Sequence, residues 1–369
     1  MEHHPTRRTG KYYYIAALCL VVYGILTISQ LHDWGGWFLS AFFVSLALAF
    51  LKNKFLRGLS FTVIIFAAVS ITLYYPGYFR EWGNLKLSSL IIPLIQLIMF
   101  GMGTSMSMKD FAAVVKTPKG VMIGVASQFI IMPLMGFMLA SFTDFPPEIA
   151  AGIVLIGCSP SGLASNVMSY LAKANLALSI TITSITTLMA PFVTPALMKL
   201  LAGAYIEIDV TKMMWDIMKM IILPIGAGLI FNKLLTGKSK WVDKAMPVVS
   251  MFGIAFIIMI ITAAGRDNLL KIGPALLAVV LIHNIFGYLL GYWSGRLFRL
   301  PESDCRTIAI EVGMQNAGLA SGIAKEIGKI GTVGLAAAIF GPTMNITGSA
   351  LASWWHNRLP EKKEAEIQS

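Results

Sequence analysis

The chain has 369 residues, of which 56% are apolar and only 13% charged, with a mean hydropathy of +0.73. Soluble domains carry roughly 25% charged residues, so this composition excludes a soluble enzyme or binding module and specifies a polytopic membrane protein. The net charge of +11 would suit a nucleic-acid binder, but the positive residues sit in short loops between apolar runs, where they set topology instead.

A spanning helix needs about 20 mostly apolar residues. By that rule twelve spans are expected, at 12–30, 35–52, 58–79, 87–106, 119–142, 148–172, 176–202, 213–235, 245–264, 273–298, 305–325 and 330–356. The first follows Arg7, Arg8 and Lys11 and lacks a convincing small-residue cleavage site after it, so it reads as a span and not as a signal peptide. With a cytoplasmic N-terminus, 20 of the 29 lysines and arginines fall in inside segments, 8 outside and one, Lys219, within a span. That alternation predicts both termini inside, and an eleven-span arrangement would put several positive loops outside. Cys19, Cys158 and Cys305 lie in or beside apolar segments without metal-ligand spacing and read as small packing residues.

An internal repeat is visible. Gly157–Ser184 (GCSPSGLASNVMSYLAKANLALSITITS) joins a Pro/Gly-broken stretch to a hydroxyl-dotted helix, and Glu311–Ala324 (EVGMQNAGLASGIA) with Gly341–Ser349 (GPTMNITGS) does the same in the second half. Five spans separate corresponding elements, an odd number, so the halves are expected to be inverted in the membrane. Gly/Pro-interrupted spans at matching positions point to a transporter site. The expected organisation is an N-terminal extension with two spans at 1–56, a first five-helix repeat at 57–205, a second, inverted one at 206–356, and a polar, disordered tail at 357–369. The two added spans suit a scaffold or an oligomer contact.

Glu311 stands out. It lies in the apolar run Arg306–Ala324 and is followed by Gly313, Gln315, Asn316 and Gly318. A carboxylate inside a span costs about 2.5–3.5 kcal/mol on insertion scales, so such a group marks a site. The neighbouring amides and the helix-weakening glycines suggest a cation site, with Gln315 offering an amide oxygen and Val312 and Met314 carbonyls. A structural carboxylate paired with a His or Lys, or a proton relay, are the competing readings. In the first half Pro160 and Gly162 free backbone groups, which lipid tolerates only where they are buried in protein or line a cavity. Ser165 and Asn166 follow, and Ser179 and Thr183 stand at i, i+4 on one face of the next helix. These oxygens suit a dehydrated hard cation such as sodium; the alternative is hydroxyl and amide glue between helices. Gln128 alone reads as such glue, and His283 as a packing residue, because no second ligand stands at metal spacing. Ser159 and Ser161 are not a nucleophile elbow, and no enzyme site is readable. Gly101–Gly103 and Gly287–Gly291 read as close helix contacts.

At these residues the chain resembles the bile acid:sodium symporter family, chiefly its bacterial members, over about residues 57–356. The resemblance is carried by Met99–Phe111 (MFGMGTSMSMKDF), Ser127–Pro133 (SQFIIMP), Gly157–Leu197, His283–Gly291 (HNIFGYLLG) and Glu311–Leu319 (EVGMQNAGL). It implies an all-α polytopic fold of two inverted five-helix repeats, forming a panel and a core domain, with two broken helices crossing in the core at 148–172 and 305–325. The two extra N-terminal helices depart from that pattern. It implies two sodium ions, one held by Ser165, Asn166, Ser179, Thr183 and Glu311, the other by Gln128, Glu311, Val312, Met314 and Gln315, and it overrides the glue reading of Gln128. The implied substrate is an organic anion in the panel–core crevice. Leu163 stands where bacterial relatives carry a threonine, and Met344-Asn345 where relatives carry His-Asn, so a changed substrate contact is expected at Leu163 and Met344, with Asn316, Thr343 and Asn345 as remaining polar contacts. The implied function is sodium-coupled import of a small carboxylate or a bile-acid-like amphipathic anion by alternating access across a bacterial inner membrane. No nucleic-acid partner is implied. The alternative is a proton-coupled carrier with Glu311 as the proton site.

Overall fold

The computed structural model describes residues 7–53, 56–106, 118–234 and 240–358. The tail expected to be disordered lies outside the described residues from 359 onward, as do 107–111 of the Met99–Phe111 segment and the loop lysines Lys54, Lys109, Lys116 and Lys238.

Among the described residues the chain is all-α apart from a hairpin of two-residue strands, β1 (Glu81–Trp82) with β2 (Leu85–Lys86). The helices are α1 (Arg7–Ile28), α2 (His32–Lys52), α3 (Ser60–Tyr74), α4 (Ile91–Ser105), α5 (Pro118–Ser141), α6 (Pro147–Cys158), α7 (Ala164–Leu171) and α8 (Leu176–Ala202). Then follow α9 (Val210–Ile217), a π turn at Met218–Ile222, α10 (Leu223–Leu234), α11 (Lys240–Ala264), α12 (Arg266–Leu297), α13 (Glu302–Gly313), α14 (Ala317–Glu326) and α15 (Val333–His356). Among the described residues eight helical runs are long and apolar enough to cross a membrane. Shorter α3, the apolar part of α11, and the broken pairs α6–α7 and α13–α14 match the other expected crossings, so all twelve expected spans have a helical counterpart among the described residues.

The broken pairs follow from local sequence. Both α6 and α13 start directly after a proline, Pro146 and Pro301, and carry Glu148 or Glu302 in the first turn, where acidic groups favour the helix dipole. Each runs for 12 residues, or about 18 Å at 1.5 Å per residue, so each ends near mid-depth of a hydrocarbon layer about 30 Å thick. The chain then resumes in the short helices α7 and α14.

Two packing groups result. In one, which we call the panel, α4 packs on α10 and α11, and α3 on α11. In the other, the core, α5, α6, α8, α12, α13 and α15 interlock. Close approach is achieved at glycines: a Cβ on Gly103 would lie 2.3 Å from the Ile225 carbonyl oxygen, and one on Gly291 2.9 Å from Val312 Cβ. The expected close contacts at Gly101–Gly103 and Gly287–Gly291 are both present. The added helices dock on the panel, α1 on α2 and α2 on α3. Tyr23 and Tyr74 share a hydroxyl contact of 3.1 Å, Ser40 donates to the Ala67 carbonyl (3.1 Å), the Tyr75 hydroxyl donates to the Asp33 carbonyl, and Trp37 and Tyr75 rings lie 5.4 Å apart.

Candidate functional site

The two breaks meet in the core. Ser159 leaves helical space at φ −76°, ψ 152°, and Met314 does so at φ −112°, ψ 100°. The freed strands pair antiparallel at Ser161 and Gln315: the Gly162 amide donates to the Met314 carbonyl and the Asn316 amide to the Pro160 carbonyl, both at 2.8 Å. A Cβ at Gly162 would stand 2.7 Å from the Gln315 carbonyl oxygen, so only glycine lets the backbones approach this closely.

Buried backbone groups need partners, and along the second break each carbonyl has one. Ile310 accepts from the Met314 amide (3.0 Å), Glu311 from Ser161 Oγ (3.0 Å), Val312 from Gln315 Nε2 (2.6 Å), Gly313 from Asn284 Nδ2 (2.8 Å), Met314 from the Gly162 amide and Gln315 from the Ala317 amide (3.0 Å). In the first break Cys158 accepts from Thr194 Oγ1 (2.8 Å) and Ser159 from Gln128 Nε2 (2.9 Å). Gln128 on α5 and Asn284 on α12 thus do the same job for the two breaks.

Glu311 is fully buried in the last turn of α13. Its Oε1 accepts from Ser165 Oγ (2.6 Å) on α7 and Ser179 Oγ (2.5 Å) on α8, and its Oε2 from Thr183 Oγ1 (2.7 Å). Asn166 Oδ1 lies 2.8 Å from Ser179 Oγ and 3.4 Å from Thr183 Oγ1. Five residues from three helices therefore hold six oxygens in one cluster. The i, i+4 spacing of Ser179 and Thr183 places both hydroxyls on the same carboxylate. Each hydroxyl has a single proton, yet Ser179 and Thr183 each face both Asn166 Oδ1 and a Glu311 oxygen. Acceptors outnumber protons around a formal negative charge, and among the described residues no Lys, Arg or His forms an ion pair with Glu311. The structural reading in which a basic neighbour neutralises Glu311 has no support in this geometry. An all-oxygen shell with one carboxylate is the donor set that hard cations take.

A second cluster lies on the other side of Glu311. Gln128 Nε2 donates to Gln315 Oε1 at 2.7 Å, Ser161 Oγ stands 3.4 Å from Gln128 Oε1, and the Val312 carbonyl closes the group by accepting from Gln315 Nε2. Gln128 and Gln315 are fully buried. Of the nine expected cation ligands, Ser165, Asn166, Ser179, Thr183 and Glu311 form the first cluster and Gln128, Gln315 and the Val312 carbonyl the second; Ser161, whose Oγ donates to the Glu311 main-chain carbonyl, joins the two, and the Met314 carbonyl faces the Gly162 amide. The short helices α7 and α14 start at the breaks and aim their positive N-terminal ends at the same region. Asn316 Oδ1 caps α14 through the Leu319 amide (3.0 Å). Of the expected substrate contacts, Leu163 is the partly buried residue before α7 and Asn316 opens α14, while Thr343, Met344 and Asn345 lie on α15, with Asn345 partly exposed. Thr343 Oγ1 is spent on the Ile339 carbonyl (2.8 Å).

Sequence reasoning passed over Ser161, which joins the Glu311 carbonyl to Gln128 across the two breaks. It also passed over the network behind the second break, in which Thr347 Oγ1 donates to Asn284 Oδ1 (2.5 Å) and the Tyr288 hydroxyl to the Met344 carbonyl (3.2 Å). A polar residue one helix away from a broken span was the available signal. His283 packs as expected, with Nε2 at 2.9 Å from the Met132 carbonyl and its ring edge-on to Phe340.

Comparison with known proteins agrees with the resemblance. The Sodium Bile acid symporter family matches residues 92–272. The uncharacterized sodium-dependent transporter YocS of Bacillus subtilis is 39% identical over 308 residues, covering 83% of this chain and 93% of that protein. The "Probable sodium/metabolite cotransporter BASS1, chloroplastic" of Arabidopsis thaliana is 30% identical over 270 residues, 73% of this chain and 67% of the relative. The human ileal sodium/bile acid cotransporter is 32% identical over 249 residues, 65% of this chain and 70% of the relative. With its multi-pass helical fold and a buried oxygen cluster where two broken spans cross, this chain is a membrane transporter, not an enzyme, and belongs to the sodium bile acid symporter family.

Proposed function

We propose that this protein imports an organic anion together with two sodium ions by alternating movement of core against panel. One ion is held by Ser165, Asn166, Ser179, Thr183 and Glu311, the other by Gln128, Glu311, Gln315 and the carbonyls of Val312 and Met314. The observation that carries this reading is the proton-poor, six-oxygen cluster around buried Glu311, which lacks a basic partner among the described residues. The repeats at 57–205 and 206–356 are inverted, so their breaks meet from opposite sides. The membrane is the bacterial inner membrane, with both termini cytoplasmic.

The substrate binds beside the crossing, touching Leu163, Asn316, Thr343, Met344 and Asn345, and its negative charge faces the N-termini of α7 and α14. The relatives named for metabolite and for bile acid cotransport support the organic-anion class. Leu163 and Met344 make the site less polar and change the substrate contact there, and the cargo is a small carboxylate or a bile-acid-like amphipathic anion. A cavity of about 550 Å³ between α9 and the helices α8 and α14 supports a movable seam; it is bordered by Lys199, Glu207, Asp209, Lys212, Asp216 and Glu326. Four carboxylates against two lysines make this rim acidic, which concentrates cations and leaves anion selection to the deeper half-helix ends.

The test is uptake of labelled small carboxylates and of a bile acid into proteoliposomes under an imposed sodium gradient at fixed pH. Concentrative uptake that collapses when potassium replaces sodium supports the reading. Uptake that follows a proton gradient with sodium absent overturns it.

A further inference from the structure

A second cavity, of about 720 Å³, lies far from the seam, where the C-terminal ends of α12 and α15 meet the start of α13. Its size falls in the range of ligand sites, about 300–1,000 Å³. Arg296, Arg306 and Arg358 line it together with Glu302, Trp293 and Trp354. Three guanidiniums against one carboxylate leave a positive surplus.

The arginines are not equivalent. Arg306 is buried and committed: Nε donates to Glu302 Oε1 (2.9 Å), and Nη1 to the carbonyls of Ala172 (3.3 Å), Trp355 (3.2 Å) and Arg358 (3.0 Å). It ties the ends of α7 and α15 to α13. Arg296 reaches the same Glu302 only at 3.7 Å and is 42% exposed. Arg358 is exposed and lies over the Trp354 ring at 4.2 Å. Two guanidiniums therefore remain available to an anion at the mouth of an aromatic cavity.

Below that mouth α12 presents an exposed apolar stripe at i, i+4 spacing, Ile285, Leu289 and Trp293. From Ile285 to Arg296 the helix rises about 16 Å at 1.5 Å per residue, close to one hydrocarbon leaflet of about 15 Å. Arginine forks suit phosphate, and tryptophan belongs at the boundary between apolar and wet layers. We propose that this cavity binds an anionic glycerophospholipid, its phosphate between Arg296 and Arg358 and one acyl chain along the Ile285–Leu289–Trp293 stripe. The site adjoins the transport machinery: Tyr288 forms part of its wall, and a Cβ on Gly313 would stand 2.2 Å from the Tyr288 ring. The lipid therefore braces the helix that packs on the second break.

The probe is delipidated protein in neutral detergent, titrated with phosphatidylglycerol, with phosphatidylcholine of the same acyl chains, and with glycerol 3-phosphate, reading the thermal midpoint and the lipid retained in native mass spectrometry. Phosphatidylglycerol should saturate at a concentration at least tenfold lower than phosphatidylcholine. The double variant Arg296→Gln/Arg358→Gln should lose that preference, while Lys86→Gln/Lys271→Gln, which changes the same charge elsewhere, should keep it. Equal responses to the two lipids, or a preference that survives in the arginine variant, would overturn the proposal. So would an equal shift with glycerol 3-phosphate, which would make this a soluble-anion site.

Discussion

The two clusters that flank Glu311 are built from different chemistry. On one side stand three hydroxyls, one amide oxygen and the carboxylate. On the other stand two carboxamides and a serine that supply one another with donors and acceptors. The hydroxyl cluster is short of protons and carries the charge, which is the environment the proposed cation needs. The amide cluster is already hydrogen-bonded and carries no charge of its own, so a cation there has only the spare lone pairs of neutral oxygens. For the proposed pair of ions this difference predicts an order, in which the hydroxyl side binds first and more tightly and the amide side follows.

The largest effect that can break this picture comes from Glu311→Ala, which removes the carboxylate at the centre of the hydroxyl side. Hydrogen bonds to charged groups contribute about 1.5–3 kcal/mol each and three converge here. Sodium affinity should fall by at least about 100-fold, read by sodium titration of the purified variant. Thr183→Val keeps the shape and deletes one such bond. It should weaken sodium binding by about 10–100-fold without unfolding the core, and an unchanged titration would remove Thr183 from the shell. Asn284→Ala strips the Gly313 carbonyl of its donor and should cost about 1–3 kcal/mol, seen as a lower denaturation midpoint together with weaker sodium binding; a change in midpoint alone would make Asn284 purely structural. Gln128→Ala touches only the amide side. Its signature is a Hill slope for sodium-driven uptake that drops toward one while the tighter binding phase stays within a few-fold of wild type, and a parallel loss of both phases would contradict the order argued above. The smallest effect is with pH. A protonated Glu311 has lost the charge that attracts the ion, so the sodium half-saturation should rise as pH falls, and a flat profile across the acid range would argue against a carboxylate ligand.

Much of this was legible in the sequence. Apolar runs gave the twelve spans, each of which has a helical counterpart among the described residues. The Pro160–Gly162 and Gly313–Asn316 stretches marked both breaks, because backbone freed inside a span has to serve a cavity. Helix ends were less legible: α12 begins at Arg266, ahead of the expected start at 273, because its first turns mix Arg266, Asp267, Asn268 and Lys271 with apolar residues. The pairings that lock the breaks were not legible at all. Ser161 meets Glu311 across 150 residues and Asn284 meets Gly313 across 29, and no local pattern encodes such partners. Ser161 looked like a flank of Pro160, and Asn284 like the neighbour of a packing histidine.

The central claim is that Glu311 anchors a sodium site, and the most direct measurement is the thermal midpoint of purified protein in sodium against potassium at matched ionic strength, for wild type and Glu311→Ala. A rise in sodium alone, present in wild type and absent in the variant, is the expected result. Equal midpoints in the two salts for wild type, or a sodium shift that persists in Glu311→Ala, would contradict it.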